Sequence, residues 1–336
     1  VLDLRGNHGG FVQPAIRMAY EFLPGNRMVF YMQGRHSPRE NFISDGRGAH
    51  QSTPLIVLVD EQTASASEIF AGSMQDNDRA LIVGRRSFGK GLVQESIEFR
   101  DGSMLRLTIA RYYMPSGRCV QKPYTPGDFE EYEMDFINRI KSGELESGDS
   151  IKEHGKKFYT RLGRTVYSEN GITPDVFVPE QTELLTSYVK EASMKGLLVK
   201  YAYVYTNENR KALSELKTWK EVAAWLKKHD VVDKFADYAN KNGLPRRNLL
   251  IKKSHRLLQT YLCGYIIDDL LGRDALTRYL NSDDKCVITA LKLMNEGKAF
   301  PAAPKKPRQD KPKNGKERTA QAGCGVEMQA QPSFFA

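Results

Sequence analysis

An uninterrupted apolar run constrains the fold of this chain more than any other segment. Residues 55–59 read LIVLV, and a run of this length predicts a β-strand. The following residues 67–75 carry Ile69, Phe70 and Met74 at helical spacing. Further strands are predicted at residues 28–32, 81–83, 92–99 and 105–112, and a helix at residues 14–23. This alternation of strands and helices predicts an α/β layered core.

The second half of the chain has a helical pattern instead. Apolar residues recur at helical spacing in six segments, residues 184–192, 218–226, 231–240, 254–271, 274–279 and 286–294. We therefore expect three regions. They are a core at residues 1–180 with a polar insertion at about 124–157, a helical domain at 181–299 and a tail at 300–336.

Composition limits the classes of partner. The 336 residues are 40% hydrophobic, enough for a sizeable core, and no apolar run approaches the roughly 20 residues of a membrane span. The net charge is +9, and residues 301–336 hold seven basic and three acidic side chains. The composition of this Pro- and Lys-rich tail predicts disorder. Because no aromatic residues are interleaved with its basic residues, we expect no specific binding of nucleic acid.

The six histidines and four cysteines lack metal-ligand spacing, so we expect no metal or cofactor.

A serine and a lysine are the residues with the clearest potential for chemistry. Ser65 lies between the strand at 55–59 and the helix at 67–75, so it is predicted at a helix N-terminus, where exposed N–H groups favour developing negative charge. Lys90 lies between Gly89 and Gly91. A lysine can act as the base for a serine nucleophile when it is neutral, so the pair is a candidate catalytic set.

Each of these motifs also has a simpler interpretation. Ser65 and Glu68 have the spacing of a capping box, in which Ser65 only caps the helix. The segment GRRSFGKG at 84–91 matches a phosphate-binding P-loop except for its final Ser or Thr. The residues after it are strand-like rather than helical, which disfavours nucleotide binding.

Six motifs occur in an order that resembles the carboxyl-terminal processing peptidases, peptidase family S41. They are DLRGNHGG at 3–10, ASASEI at 64–69, QDN at 75–77, SFGKGLVQ at 87–94, RYYMPSGR at 111–118 and GITPD at 171–175. The resemblance covers about residues 1–180 and implies a crotonase- or ClpP-like sheet wrapped by helices. It implies a serine endopeptidase that cleaves near the C-terminus of polypeptides.

The resemblance also assigns roles to residues. Ser65 is implied as nucleophile and Lys90, 25 positions later, as its base, whereas Ser67 does not fit the family spacing. Gln94, four positions after the lysine, is implied to orient it. The resemblance implies no cofactor.

The resemblance places an oxyanion hole beside the serine. Its donors would be the backbone N–H of Ala66 and an N–H from the turn at Gly9 and Gly10. Glycines let a backbone approach a ligand closely, and two preorganised N–H donors stabilise a tetrahedral intermediate.

Substrate, partner and location are further expectations. We expect the substrate strand to lie along residues 105–113, with Leu105, Leu107 and Tyr113 in contact with it, because peptides commonly extend a sheet. The expected partner is a polypeptide with a free C-terminus, and the helical domain could support a homo-oligomer. The resemblance implies a periplasmic or cell-envelope location.

The start of the chain suggests an incomplete catalytic unit. It opens directly on the apolar Val1 and Leu2, so we expect the core to begin upstream, where this family carries a signal or anchor segment and a PDZ module. Two other functions stay open. One is a catalytically incomplete fragment that binds peptides or a partner, and the other is acyl-CoA chemistry on the same scaffold.

Overall fold

The fold consists of ten strands and twelve helices in the part of the chain described by the computed structural model, residues 1–125, 127, 129–151, 155–180 and 184–303. The strands are β1 Leu2–Asp3, β2 Met28–Gln33, β3 Glu40–Ile43, β4 Ile56–Val59, β5 Leu81–Gly84, β6 Leu92–Glu98, β7 Met104–Tyr113, β8 Lys157–Tyr159, β9 Thr165–Tyr167 and β10 Val176–Phe177.

Three helices belong to the first half and nine to the second. The helices are α1 Val12–Phe22, α2 Ala66–Asp76, α3 Phe129–Lys141, α4 Ser187–Met194, α5 Leu197–Glu208, α6 Arg210–Leu213, α7 Trp219–Lys228, α8 Val231–Lys241, α9 Asn248–Lys253, α10 His255–Leu271, α11 Arg273–Asn281 and α12 Lys285–Asn295. The mixed α/β class predicted from the sequence is therefore confirmed.

Two four-stranded sheets form the core of the first half. One has the order β1-β4-β5-β10, and its described pairings are parallel. The other has the order β3-β2-β7-β6 and is antiparallel. Helices α1 and α2 share one hydrophobic cluster with residues of both sheets. Helix α2 therefore packs against both the parallel and the antiparallel sheet.

The apolar run at residues 55–59 is buried on both faces of the parallel sheet. Val57 and Val59 belong to the cluster with α1 and α2. Ile56 and Leu58 alternate with them and pack with Ala290 of α12, as expected because successive strand side chains point to opposite faces. An uninterrupted apolar strand is thus explained by a helix on each side of it.

The predicted helical segments are confirmed as α4, α7, α8, α10, α11 and α12. Most of them pack in one cluster around α10, which contacts α5, α7, α8, α9 and α11. Helix α12 is the exception, because it lies on β4 and β5. The sequence prediction missed α5, which is rich in tyrosine and valine and lacks a clear polar face.

Residues 1–303 form one compact unit. The predicted insertion at 124–157 contains α3 and a short 3₁₀ helix, Gly148–Ser150, before the β8-β9 hairpin. The predicted disorder of the tail concerns mostly residues 304–336, which lie outside the described residues. Among the described helices, none has both the length and the apolar character required to cross a bilayer.

The role of α12 as cover for the sheet can be tested at two adjacent positions. Ala290 is fully buried against β4 and β5, whereas its neighbour Leu291 is half exposed. We expect Ala290→Asp to lower the free energy of unfolding by about 3 kcal/mol or more, because it buries an unpaired charge. Leu291→Asp should change it by less than about 0.5 kcal/mol. Equal effects of the two variants in urea unfolding would contradict this packing.

Candidate active site

Ser65 occupies a sharp turn between a strand and a helix. It lies six residues after the end of β4, directly before α2, with φ 56° and ψ −120°. A positive φ is uncommon for a residue with a side chain and costs on the order of 1–3 kcal/mol. The side chain is half-buried. This strained backbone persists because the surrounding contacts fix it.

The loop that carries Lys90 emerges at the same edge of the parallel sheet. β4 and β5 are parallel neighbours, with Val59 paired to Gly84, so the segments that follow them start side by side. We define residues 85–91 as the lysine loop. It leads into β6 rather than into a helix, which excludes the P-loop geometry considered above. Lys90 itself is half-buried.

A single buried carboxylate joins the serine turn to the lysine loop. Glu68 of α2 is fully buried. Its Oε2 accepts hydrogen bonds from the backbone N–H of Ser65 at 2.9 Å and of Lys90 at 2.8 Å. Its Oε1 accepts from the N–H of Gly89 at 2.8 Å and from the Ser87 hydroxyl. Four donors converge on one carboxylate, so the backbone positions of Ser65 and Lys90 depend on each other.

A tyrosine holds the same two residues through their carbonyl groups. Tyr112 of β7 is buried, and its hydroxyl lies 3.1 Å from the carbonyl oxygen of Ser65 and within hydrogen-bond distance of that of Lys90. Burial and the nearby Glu68 carboxylate raise the pKa of Tyr112 well above its ordinary value. The phenol therefore keeps its proton at neutral pH, and this single donor is shared between the two carbonyl oxygens.

The contacts of Glu68 and Tyr112 go beyond what the sequence indicated. The predicted capping contact is present, since Glu68 reaches back to the Ser65 N–H. Burial raises the pKa of Glu68, while its hydrogen-bond donors act in the opposite direction. The second oxygen of Glu68 and the whole contribution of Tyr112 were missed. The capping box pointed to Glu68, whereas Tyr112 lies within the motif at 111–118 but was given no role from the sequence.

The glycine turn packs directly against the serine. Gly9 has φ 82°, and a Cβ at this position would lie 2.5 Å from the Ala64 carbonyl oxygen and 2.7 Å from the Ala66 nitrogen. A side chain there would occupy the space in front of the Ala66 N–H. Glycine is therefore required both by conformation and by contact.

The backbone N–H groups of Gly9, Gly10 and Ala66 differ in whether they donate a hydrogen bond within the described residues. The Gly9 N–H donates to Asn7 Oδ1 at 2.9 Å. Neither the Ala66 nor the Gly10 N–H has an acceptor among the described residues. The Ser67 hydroxyl donates to Asn7 Oδ1 at 2.9 Å. Ala66 and Gly10 thus keep free donors, while Ser67 is engaged in holding the turn.

An apolar cavity of about 190 Å³ opens beside the free donors. Its lining includes Gly10, Met18, Ala66 and Phe70. Cavities with mostly apolar walls and a few polar groups are typical of ligand sites. Among the described residues, no cluster of His, Cys, Asp or Glu could hold a metal ion.

The remaining predicted site residues lie less close together. Gln94 is exposed on β6, and its Nε2 lies 3.5 Å from Thr108 Oγ1. Within the described part of the chain, no hydrogen bond joins Gln94 to Lys90, or the Ser65 hydroxyl to the Lys90 amine. The structure thus brings the backbones of Ser65 and Lys90 together and leaves their side-chain atoms unjoined.

The predicted substrate strand is an interior strand of its sheet. Leu105 and Leu107 are about half exposed on β7, and Tyr113 stacks on Tyr31 with ring centroids 4.8 Å apart. Residues 104–111 of β7 pair with β6, and residues 111–113 pair with β2. The strand therefore lacks a continuous free edge along 105–113, whereas β6 is an edge strand of the sheet.

Two family models match segments of this chain. The family model described as peptidase family S41 matches residues 1–130. A second model, described as a family of unknown function, matches residues 188–272.

Curated relatives match the first half of the chain. A carboxyl-terminal-processing protease from Synechocystis sp. is 44% identical over 122 residues, covering 36% of this chain and 28% of the relative. The chloroplastic carboxyl-terminal-processing peptidase 3 of Arabidopsis thaliana is 45% identical over 168 residues, covering 46% of this chain and 32% of the relative. The chain thus spans about a third or less of the length of these relatives.

A solved structure, the photosystem II D1 C-terminal processing protease, is 27% identical with a TM-score of 0.37, covering 54% of this chain and 35% of that one. The similarity to this family rests on the sequence match over residues 1–130 and on the curated relatives. Residues 1–130 are therefore similar to peptidase family S41.

Proposed function

We propose that this chain carries the catalytic core of a serine endopeptidase that cleaves polypeptides near their C-terminus. The observation that supports this most is the shared anchoring of Ser65 and Lys90, whose backbones are both bound by Glu68 and by Tyr112. The match of residues 1–130 to peptidase family S41 and the names of the curated relatives agree with it.

The proposed mechanism uses Lys90 as base. In its neutral form, the Lys90 amine takes the proton of the Ser65 hydroxyl, and Ser65 Oγ attacks a peptide carbonyl. The tetrahedral intermediate places its oxyanion against the free N–H groups of Ala66 and Gly10. The protonated lysine then gives its proton to the leaving amine. Water finally hydrolyses the acyl-enzyme, with Lys90 again as base.

Gln94 is the least supported member of this set. We propose that it orients Lys90 when substrate is bound, since catalytic hydrogen bonds often tighten only in the substrate complex. Leu105, Leu107 and Tyr113 are proposed as substrate contacts. For the backbone of the substrate, the outer edge of β6, which no other described strand pairs with, offers groups that interior β7 lacks along residues 111–113.

We further propose a polypeptide substrate with a free C-terminus and a location outside the cytoplasm. Two curated relatives support the first point through the term carboxyl-terminal processing in their names. A crotonase- or ClpP-like architecture and a homo-oligomer through the helical region stay predictions.

The assignment of nucleophile and base is tested by covalent labelling and cleavage. We expect Ser65→Ala to abolish reaction with a fluorophosphonate probe and cleavage of an unstructured polypeptide with a free C-terminus. Lys90→Ala should slow both by about 100-fold or more, because general-base catalysis is lost. Ser67→Ala should keep probe labelling, and Lys200→Ala, an exposed lysine of α5, serves as the lysine control.

Wild-type rates in Ser65→Ala or Lys90→Ala would refute the proposed mechanism. Binding of the polypeptide with neither labelling nor cleavage by the unaltered chain would instead favour a peptide-binding fragment. Binding of labelled coenzyme A in place of peptide would favour acyl-CoA chemistry.

The oxyanion site is tested by two glycine substitutions. We expect Gly9→Ala to lower kcat by about 100-fold or more, because its methyl group enters the space in front of the Ala66 N–H. Gly6→Ala is the matched control: Gly6 also has a positive φ, 66°, but a Cβ there meets no atom within 4 Å. Both variants carry the same kind of backbone strain. If they lose the same fraction of kcat, strain rather than blocked donors explains the loss.

A further inference from the structure

The predicted insertion also forms hydrogen bonds to the lysine loop. We propose that α3 and the turn after it hold the lysine loop in its catalytic geometry, with Arg139 as the principal positioning residue. This inference rests on the proposed function, because it concerns the placement of Lys90 as base. It adds to the Glu68 and Tyr112 contacts, which reach the loop from α2 and β7.

Arg139 binds the backbone of the loop directly. It lies in the last turn of α3 and is 3% exposed. Its guanidinium donates to the carbonyl oxygen of Arg86 at 2.5 Å and to that of Ser87 at 3.2 Å. Its Nε donates to Glu144 Oε1 at 2.9 Å. A planar guanidinium can serve these three acceptors at once, whereas an ammonium cannot reproduce this geometry.

Glu144 connects this contact to a side chain of the loop. Its two carboxylate oxygens accept from the Arg86 guanidinium at 2.7 and 2.9 Å, and one of them also accepts from Arg139. All three residues are buried. Breaking a buried ion pair by removing one partner is strongly destabilising, so the cluster resists displacement of the loop.

Lys122 provides a second contact between the loop and α3. Its backbone N–H donates to the Gly89 carbonyl oxygen at 2.8 Å. Its ammonium lies 4.2 Å from the ring centroid of Phe88 and 4.0 Å from that of Tyr132 in α3. The same ammonium donates to the Tyr132 carbonyl oxygen at 2.9 Å and to Asp135 Oδ2 at 3.3 Å. Cation–π contacts of this kind are worth about 0.5–2 kcal/mol.

The two sets of contacts act on complementary backbone groups. From α2, Glu68 binds the N–H groups of Gly89 and Lys90. From the other side, Arg139 of the insertion and Lys122, which lies just before it, bind the carbonyl groups of Arg86, Ser87 and Gly89. The loop is thus held between a buried carboxylate and a buried guanidinium. A misplacement of about 1 Å can cost about 100-fold in rate, so the insertion should influence kcat more than substrate binding.

Arg139→Met tests this proposal with little risk to folding. It removes the donors to the loop but leaves Glu144 paired with Arg86, so no buried charge loses its partner. In the full chain, we expect kcat to fall by about 10- to 100-fold, with KM changed by less than about twofold. Arg139→Ala should lose a similar factor and regain part of it when guanidinium ion is added at millimolar concentration.

The matched control is Arg118→Met. Arg118 is also a buried arginine, 1% exposed, and it binds Asp76 and Gln75 at the far end of α2. Its loss should lower the melting temperature without a comparable loss of kcat per folded molecule. Wild-type kcat in Arg139→Met, or equal losses in both arginine variants, would overturn the proposal. Failure of the proposed function is distinguishable, because the unaltered chain would then not cleave the polypeptide, or Lys90→Ala would cleave it at the wild-type rate.

Discussion

The buried carboxylate of Glu68 is the interaction on which the rest of the site depends. Burying an ionised group is costly unless hydrogen bonds replace its water shell, and here the N–H groups of Ser65, Gly89 and Lys90 and the Ser87 hydroxyl do so. Because one carboxylate serves both segments, a shift of the lysine loop would also release the serine turn. The strained backbone of Ser65 is thereby stabilised through Glu68 of the helix that follows it, and Tyr112 of β7 adds a contact from outside that helix.

The parallel sheet makes this interaction possible. β4 and β5 are adjacent and parallel, so the serine turn and the lysine loop leave the same edge of the sheet although 25 residues separate Ser65 from Lys90. The sheet itself is stabilised by helices on both faces, with α12 contributed by the far end of the described chain. The geometry of the site thus depends on a helix that the family match to residues 1–130 does not include.

Much of the fold was predictable because its signals are local. The run at 55–59 and the helical spacing after it became β4 and α2, and six helices of the second half were predicted from periodicity. Helix α5 was missed because its exposed face carries Val199, Tyr203 and Val204, so the contrast between an apolar and a polar face that periodicity detects is weak. Strand order and the position of α12 on the sheet were not predictable, since they depend on contacts between residues far apart in the chain.

By itself, the sequence determined the chemical groups and their order along the chain: Ser65 before a helix, Lys90 between glycines, and a glycine turn near the start. These features are local, and the family resemblance rests on them. Only the tertiary structure decided that the Gly9 turn packs against Ala64 and Ala66. It also decided that Tyr112 and Arg139 bind the two segments. Such contacts join residues distant in sequence, and no local pattern encodes them.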